Sequence, residues 1–320
     1  MRSSLRRPAL LSVVALSFAL VACGAGGTAT ATATMTATLK ATATVAPSPT
    51  ATPKPSARVV QVSKTQHFAD SKSGGTSAPC ANGEPLIAGN CGVTVTATCA
   101  NVDVVVAGGF AVDDSLAHVT ASYPSSTTAW TVTAHDEGQD GGSHPVTVTA
   151  YAECLHANFR AGVAPISSKL SIPLDGVGHE MHLPCAAGTV LTGGGFRGSS
   201  SQEMIPIANG WNVTFGVTPA SSATPQIVVV CAAKHLAAAE WVKGVMEFQV
   251  GSVANVGFGC ADGALLTAGG VDTVPYGNIT TFKANNSVTQ WTGTVSPVGA
   301  VGGSPGTHGV SFTSICVTVH

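Results

Sequence analysis

The stretch Cys185–Phe196, CAAGTVLTGGGF, occurs in three related copies along a chain of 320 residues. One copy, CANVDVVVAGGF, runs from Cys99 to Phe110, and the other, CADGALLTAGGV, runs from Cys260 to Val271. Aligned without gaps, the copies share the first cysteine, the alanine after it and two adjacent glycines. Because no acidic residue or histidine recurs in all three, the repetition indicates a repeated scaffold rather than a repeated active site.

Each copy is followed by one tryptophan and then by a second cysteine. The tryptophans are Trp130, Trp211 and Trp291, and the closing cysteines are Cys154, Cys231 and Cys316. This shared order predicts three homologous units of roughly 80 residues each. The segment Cys80–Cys91, CANGEPLIAGNC, begins in the same way and is either a truncated copy or a local hairpin.

The hydrophobic pattern within a unit has a period of two. Val146 and Val148 alternate with Thr147 and Thr149, for example. Such alternation is typical of strands with one face on the core and the other in solvent. Only Cys231–Phe248 offers room for one or two helical turns. The sequence therefore predicts an all-β fold of three antiparallel units.

The N-terminus has the features of an export signal. Arg2, Arg6 and Arg7 precede the apolar run Pro8–Ala22, which is shorter than the roughly 20 residues that a membrane-spanning helix needs. The ending LVAC, with Cys23 last, resembles the lipobox of bacterial lipoproteins. That resemblance implies a diacylated Cys23 and anchoring to the outer face of a bacterial membrane. The alternative is an ordinary secretory signal cleaved nearby.

The segment after Cys23 is rich in Thr, Ala and Pro and nearly free of charge. Such a composition cannot bury enough apolar surface to offset the entropy of ordering, so we expect a disordered tether that holds an extracellular ectodomain away from the membrane. The expected divisions are a signal peptide at 1–22, the lipidated cysteine and tether at 23–57, and β repeats at 58–158, 159–235 and 236–320.

Nine cysteines, less the lipidated one, leave eight in an exported chain, which predicts disulfides. Since one cysteine opens and one closes each unit, the expected pairs are Cys99–Cys154, Cys185–Cys231 and Cys260–Cys316, with Cys80–Cys91 by elimination. Metal ligation by thiolates would need closely spaced pairs such as C-x-x-C, and the sequence has none.

Three motifs invite a ligand-binding interpretation. Gly193–Gly198 matches G-x-G-x-x-G, but polar residues rather than a helix pattern follow it, so a β-bulge or close backbone packing is favoured. His179 and His182 of HEMH would point to opposite faces of a strand and could not share a metal ion. Asp136, Glu137 and Asp140 form a candidate calcium site in a glycine-rich loop, with a solvated loop as the alternative.

The tryptophans could either pack in the core or serve as platforms for sugars. The three repeated ones alternate with polar residues beside valines, which favours the core. Trp241 lies outside the repeat pattern and is the candidate for a glycan contact.

The triplicated Cys…Gly-Phe…Cys pattern, which covers about 220 residues, resembles the vitelline membrane outer layer protein and its β-prism. The resemblance implies packing of the three units around a pseudo-threefold axis, although the units here are longer than a β-prism repeat. It carries over no site residues. Tandem small sandwiches are the alternative arrangement.

Composition and motifs restrict the function. Charged residues make up 9% of the chain and the formal net charge is −2, with no basic stripe for nucleic acid. No cofactor motif and no G-x-S-x-G nucleophile turn occurs, so we expect no cofactor and no enzyme. The favoured function is a surface-anchored binding or adhesion module for an extracellular glycan or protein. The alternatives are a structural envelope protein without a specific ligand and, third, a hydrolase with an unrecognised site.

Overall fold

The computed structural model describes most of the chain between residues 57 and 319. The described ranges are 57–68, 86–87, 90–100, 102–114, 117–136, 146–156, 164–169, 179–198, 201–215, 225–233, 236–249, 254–272, 277–297 and 307–319. The expected signal peptide, Cys23 and nearly all of the expected tether lie outside these ranges.

Within the described ranges every regular element is a strand. Unit 1 contains β1 (Arg58–Phe68), β2 (Leu86–Ile87), β3 (Asn90–Thr98), β4 (Val104–Val112), β5 (Ala117–Pro124), β6 (Ala129–Asp136) and β7 (Val146–His156). Unit 2 contains β8 (Ala164–Lys169), β9 (His179–Pro184), β10 (Thr189–Arg197), β11 (Ser201–Ile207), β12 (Gly210–Phe215) and β13 (Gln226–Ala233). Unit 3 contains β14 (Leu236–Gln249), β15 (Ala254–Gly259), β16 (Leu265–Asp272), β17 (Gly277–Ala284), β18 (Gln290–Pro297) and β19 (Thr307–Val319). The all-β prediction is confirmed, and the segment with room for a short helix forms β13 and β14 instead.

The strands form three antiparallel sheets, and each sheet is shared by two units. The strand orders are β1-β7-β4-β17-β18-β15, β2-β3-β6-β5-β10-β13-β8 and β14-β19-β16-β11-β12-β9. Each unit therefore places three strands in one sheet and three in the next, apart from the short extra strand β2. The two halves of a unit contact each other face to face, as β1 and β7 do with β3. Each unit is thus a small sandwich whose two layers continue into different neighbours.

Three equivalent strand pairs join the units. β4 pairs with β17, β10 with β5, and β16 with β11, which links unit 1 to unit 3, unit 2 to unit 1 and unit 3 to unit 2. These links close a ring, so the units are related by a pseudo-threefold arrangement. A string of independent sandwiches is excluded because every sheet contains strands from two units.

A β-bulge occurs at the same place in every unit. The register shifts between Val105 and Ala107 in β4, between Leu191 and Gly193 in β10, and at the equivalent point in β16. In each strand the bulged residue lies two positions before the first glycine of the pair. A bulge bends its strand and increases the local twist, and in each unit it precedes the residues that pair with the neighbouring unit.

The first glycine of each pair makes room for the tryptophan of the same unit. A β-carbon on Gly194 would collide with the indole of Trp211. Gly108 stands in the same relation to Trp130, and Gly269 to Trp291. All three tryptophans are buried, with exposed fractions of 2% or less, so the core interpretation is confirmed for them.

The second glycine of each pair allows the backbone of the neighbouring unit to approach. A β-carbon on Gly195 would collide with the carbonyl oxygen of Ser122 in β5. Gly109 and Gly270 meet the backbones of β17 and β11 in the same way. The glycine pair thus serves the core of its own unit and the junction with the next one, which explains why both glycines recur.

Three disulfides close the units: Cys99–Cys154, Cys185–Cys231 and Cys260–Cys316. These are the long pairs that the repeat predicts. Each joins the first cysteine of a repeated stretch to the last strand of the same unit, across 55, 46 and 56 residues of sequence respectively. The expected Cys80–Cys91 pair depends on Cys80, which lies outside the described ranges.

Candidate functional site

One of the three junctions between units has a fully buried carboxyl group at a position where the other two have a hydrocarbon side chain. It lies between unit 1 and unit 3 and comprises Gln61, Tyr151, Glu153, Lys283 and Ala284, which we call the polar junction. Its central residue is Glu153 on β7, which immediately precedes the disulfide cysteine Cys154 and is fully buried, with an exposed fraction of 0%.

The pseudo-symmetry identifies the counterparts of Glu153. Val230 precedes Cys231 in β13, and Ile315 precedes Cys316 in β19. Both are also fully buried. Two junctions therefore fill this position with a hydrocarbon side chain, whereas the junction between units 1 and 3 fills it with a carboxyl group.

Hydrogen bonds through Glu153 connect three strands. Gln61 on β1 donates from Nε2 to Glu153 Oε1 at 2.8 Å and to the carbonyl oxygen of Ala284 on β17 at 2.9 Å. The backbone of Ala284 also acts on the Glu153 carboxyl group and lowers its pKa. Oε2 of Glu153 is buried and has no hydrogen-bond partner among the described residues. The carboxyl group thus lies at the point where the first and last units meet, with one oxygen unsatisfied.

Tyr151 and Lys283 lie beside this carboxyl group and are half-buried. Lys283 Nζ donates to the Tyr151 hydroxyl at 3.0 Å, and Nζ lies 4.3 Å from the centre of the tyrosine ring. Lys283 of unit 3 and Tyr151 of unit 1 therefore make both a hydrogen bond and a cation–π contact with each other. The strand pairings place Tyr123 and Ile205 at the positions equivalent to Lys283. The junction between units 1 and 2 also has a cation–π contact, in which Arg197 Cζ lies 5.2 Å from the centre of the Tyr123 ring, so the buried carboxyl group and not the cation distinguishes the polar junction.

The environment of Glu153 changes its acidity. Burial raises its pKa from 4.5 to about 7, and the raise is limited by the hydrogen bonds from Gln61 and Ala284 and by the charge of Lys283. Burial disfavours the charged form of a carboxyl group, which is why its contribution is largest. The polar junction therefore combines an amide, a phenol, an ammonium group and a carboxyl group that exchanges its proton near neutral pH.

A second polar cluster crosses the outer face of the sheet that contains β9, β11, β12 and β16. The pairing registers align Asp272, Glu203, Thr214 and Glu180 in one row. Thr214 Oγ1 donates to Glu203 Oε2 at 2.6 Å. Burial, followed by the charges of Asp272 and Glu180, raises the pKa of Glu203.

The acidic row lacks the arrangement of a metal centre. Asn212, which is fully buried, donates from Nδ2 to Glu180 Oε1 at 2.9 Å and so occupies the space beside the carboxylates with a donor group. No group of three or more His, Cys, Asp or Glu side chains in the described ranges is placed to hold a metal ion.

The other sites predicted from sequence have separate outcomes. Asp136 is the last residue of β6, whereas Glu137 and Asp140 lie outside the described ranges, so the calcium site remains a prediction. Trp241 lies in β14 opposite Ile315, and its side chain is outside the described part of the structure. HEMH lies on the strand β9, with His179 half-buried and His182 exposed.

The G-x-G-x-x-G stretch, a pattern that dinucleotide-binding proteins use to hold phosphates, also has a clear outcome. Gly193–Gly198 belongs to the end of β10 and the bend after it, and the next element is the strand β11. A dinucleotide site needs a helix at that point, with its N-terminus facing the phosphates. Close packing of the glycines, favoured from the sequence, is what the structure contains.

Sequence reasoning missed the residues of the polar junction. A signal was present, because alignment of the closing cysteines places Glu153 against Val230 and Ile315. A single acid at an otherwise apolar position marks a site where the repeat departs from its own scaffold. Gln61 and Lys283 gave no such signal, because they come from distant parts of the chain and meet Glu153 only in the folded ring.

No protein-family model matches the chain, and no curated protein matches it. In the described ranges, no helix has the length and hydrophobicity to cross a membrane.

Proposed function

We propose that this protein is a lipid-anchored surface protein whose ectodomain binds an extracellular glycan, with the polar junction as the binding site. The lipobox at Cys23 and the signal-like segment before it support the anchor. The three disulfides support export, since such bridges persist in oxidising compartments.

The observation that carries the proposal is the break in pseudo-symmetry at Glu153. A buried carboxyl group costs stability compared with a hydrocarbon of similar volume. Two junctions have Val230 and Ile315 at this position, so the scaffold itself does not require an acid. A polar group kept at one of three equivalent positions is better explained by a function of that junction than by folding.

The side chains of the polar junction suit a ligand rich in hydroxyl groups. Binding sites combine an apolar or aromatic surface with a few polar groups that fix the orientation of the ligand. Here the ring of Tyr151 supplies the aromatic surface, and Lys283 and Gln61 supply donors beside it. All three are partly exposed, so they are accessible from the outside of the ring.

A structural envelope protein is the second candidate, and the outer faces of unit 1 favour it. Threonine hydroxyls pair across neighbouring strands, Thr65 with Thr149 at 2.9 Å and Thr94 with Thr133 at 3.0 Å. Such rows give a uniform hydroxyl surface without a specific pocket, as a non-specific coat or spacer would need.

The test is to probe the ectodomain, residues 57–320, against an array of surface glycans and extracellular proteins. The variant to compare is the double substitution Tyr151→Ala and Lys283→Ala. We expect the wild-type ectodomain to bind one class of glycan and the variant to lose at least tenfold in affinity, since each removed contact is worth on the order of 1 kcal/mol.

Thr94→Ala with Thr133→Ala is the matched control, because it removes an exposed threonine pair from the other sheet of unit 1, which does not contain the polar junction. Glycan binding that survives in the junction variant would place the site elsewhere. If the ectodomain binds a protein and no glycan, the ligand is a protein and the glycan proposal is wrong. If it binds nothing on the array, the structural envelope protein is favoured. Circular dichroism and thermal unfolding establish that the variants are folded.

A further inference from the structure

We propose that the polar junction is a pH-sensitive closure of the ring: the proton on Glu153 holds units 1 and 3 together, and its loss loosens this junction and leaves the other two closed. The inference concerns the fold and stands whether or not the junction binds a glycan.

The topology makes this junction the one that can open. Units 1 and 2 follow each other in the chain, as do units 2 and 3, so short connections hold those neighbours together. Units 1 and 3 are the first and the last, and they meet only through folding. Their strands β4 and β17 pair over a short stretch, with Phe110 opposite Phe282 and Ala111 opposite Thr281.

The hydrogen bonds of Glu153 add to this short pairing. Gln61 and Glu153 from unit 1 and Ala284 from unit 3 form one connected set across the junction. The apolar part of the junction, where Phe282 packs on Phe110 with ring centres 6.1 Å apart, does not depend on pH. Titration therefore affects only the polar part of the junction, so we expect loosening rather than global unfolding.

Few charges are placed to compensate an ionised Glu153. β1 presents the uncharged Gln61, and β4 presents Ala107 opposite Glu153. β7 contributes Tyr151, and β17 contributes Lys283, the one charged side chain in the described ranges that interacts with Glu153. Lys283 is already bound to the ring and hydroxyl of Tyr151. An ionised carboxylate here would hold its charge in a buried site with Oε2 unsatisfied.

The direction of the pH effect follows from the raised pKa. Glu153 binds its proton more tightly in the closed junction, with a pKa of about 7, than in an open and hydrated one, where the value returns toward 4.5. The closure is therefore fully stabilised below pH 4.5 and is weakened as the pH rises through about 7. Above that value the weakening is complete.

Hydrogen exchange measured strand by strand tests the proposal, because local opening exposes backbone amides without unfolding the rest. The ectodomain is compared at about pH 5 and about pH 8.5, with exchange corrected for its intrinsic pH dependence. The strand that reports is β17, Gly277–Ala284, and its counterpart β5 in the junction between units 1 and 2 is the internal control. The third counterpart, β11, does not serve as a control because it carries Glu203, whose own pKa is raised. We expect protection of β17 to fall at the higher pH by up to about 75-fold, with β5 unchanged. This is less than the full effect of the pKa difference, because at about pH 5 the open junction is already partly ionised.

Two substitutions separate titration from structure. Glu153→Gln keeps the hydrogen-bonding shape but cannot ionise, and Glu153→Val copies the residue that unit 2 has at this position. Both should keep β17 protected at both pH values. The proposal is overturned if β17 of the wild type follows β5 at both pH values, or if Glu153→Gln keeps the pH dependence. Should Glu153→Val fail to fold, Glu153→Gln alone decides the question.

Discussion

The indole of Trp211 occupies the space that a β-carbon on Gly194 would need. Gly194 is on β10 and Trp211 on β12, in two different sheets, so this contact joins the two layers of unit 2. The same relation recurs between Gly108 and Trp130 in unit 1. The glycine and the tryptophan therefore act as one packing unit, although 17 positions separate them in unit 2 and 22 in unit 1.

Replacing Gly194 with alanine should destabilise the protein by about 2–3 kcal/mol, because the added methyl group has no room beside the indole. Denaturant unfolding of the ectodomain measures the change. Gly257→Ala is the control, since the nearest atoms to its added β-carbon lie at 3.4 Å, an ordinary contact distance. Equal effects at the two positions would contradict the proposed packing role.

Removing one bridge by replacing both Cys185 and Cys231 with alanine should cost about 4 kcal/mol, since the bridge constrains a long loop in the unfolded chain. Similar losses are expected for the other two long bridges because their loops have similar lengths. Urea unfolding under non-reducing conditions gives the values. A loss below about 1 kcal/mol would mean that the unfolded chain is not substantially constrained by the bridge.

Ser122→Ala should destabilise the protein by about 1–2 kcal/mol, because it leaves a buried donor unpaired. Trp130 Nε1 donates to Ser122 Oγ at 2.9 Å, and both residues are buried. At the equivalent positions Met204 and Phe282 offer the other two tryptophans no acceptor. The effect is measured as the thermal unfolding midpoint of Ser122→Ala, compared with that of Ser63→Ala, a variant at an exposed site. Equal midpoints for the two variants would rule out a contribution from this hydrogen bond.

Glu203→Gln should stabilise the protein at alkaline pH and have little effect at acidic pH. Burial and the neighbouring charges of Asp272 and Glu180 raise the pKa of Glu203, so its ionised form is disfavoured in the folded state. Stability is therefore lost as the pH rises through the folded-state pKa, and the substitution removes that loss. Thermal midpoints across a pH series test this, and high salt should reduce the part that comes from charge repulsion. A midpoint gain that is the same at every pH would show that ionisation is not its cause.

Cys23→Ala should release the protein from the membrane into the medium, because the lipid is the proposed anchor. Fractionation of cells that express the full chain gives the distribution directly. A protein that stays in the membrane fraction without Cys23 would overturn the lipoprotein assignment. The disulfide variant of Cys185 and Cys231 serves as a control for effects of cysteine loss alone.

Much of the fold could be read from the repeat. The recurring cysteines predicted the three long bridges because each unit must be closed by the same local geometry. The period-two alternation around Val146 and Val148 predicted strands and their buried face, since a strand shows alternate side chains to opposite sides. The buried tryptophans followed from the same alternation.

The polar junction could not be predicted in the same way. Glu153 alternates with core residues as an outward-facing position would, so the pattern predicts a solvated acid. It is buried where unit 1 meets unit 3, and β17 of unit 3 brings Lys283 and Ala284 to it. Burial of an outward-facing residue depends on a strand from elsewhere in the chain, and the local pattern contains no information about that strand.

By itself the sequence determined the units of this protein: three copies, their cysteine pairs, their strands and the glycines that must stay small. Only the tertiary structure decided how the copies share sheets, and therefore that Gly195 faces the backbone of a different unit and that Glu153 lies inside a closed ring. The physical reason is the range of the interactions. The alternation of side chains in a strand and the closing of a loop by a disulfide depend on the order of residues within one unit. The pairing partner of a strand at the border of a unit depends instead on the packing of residues far apart in sequence.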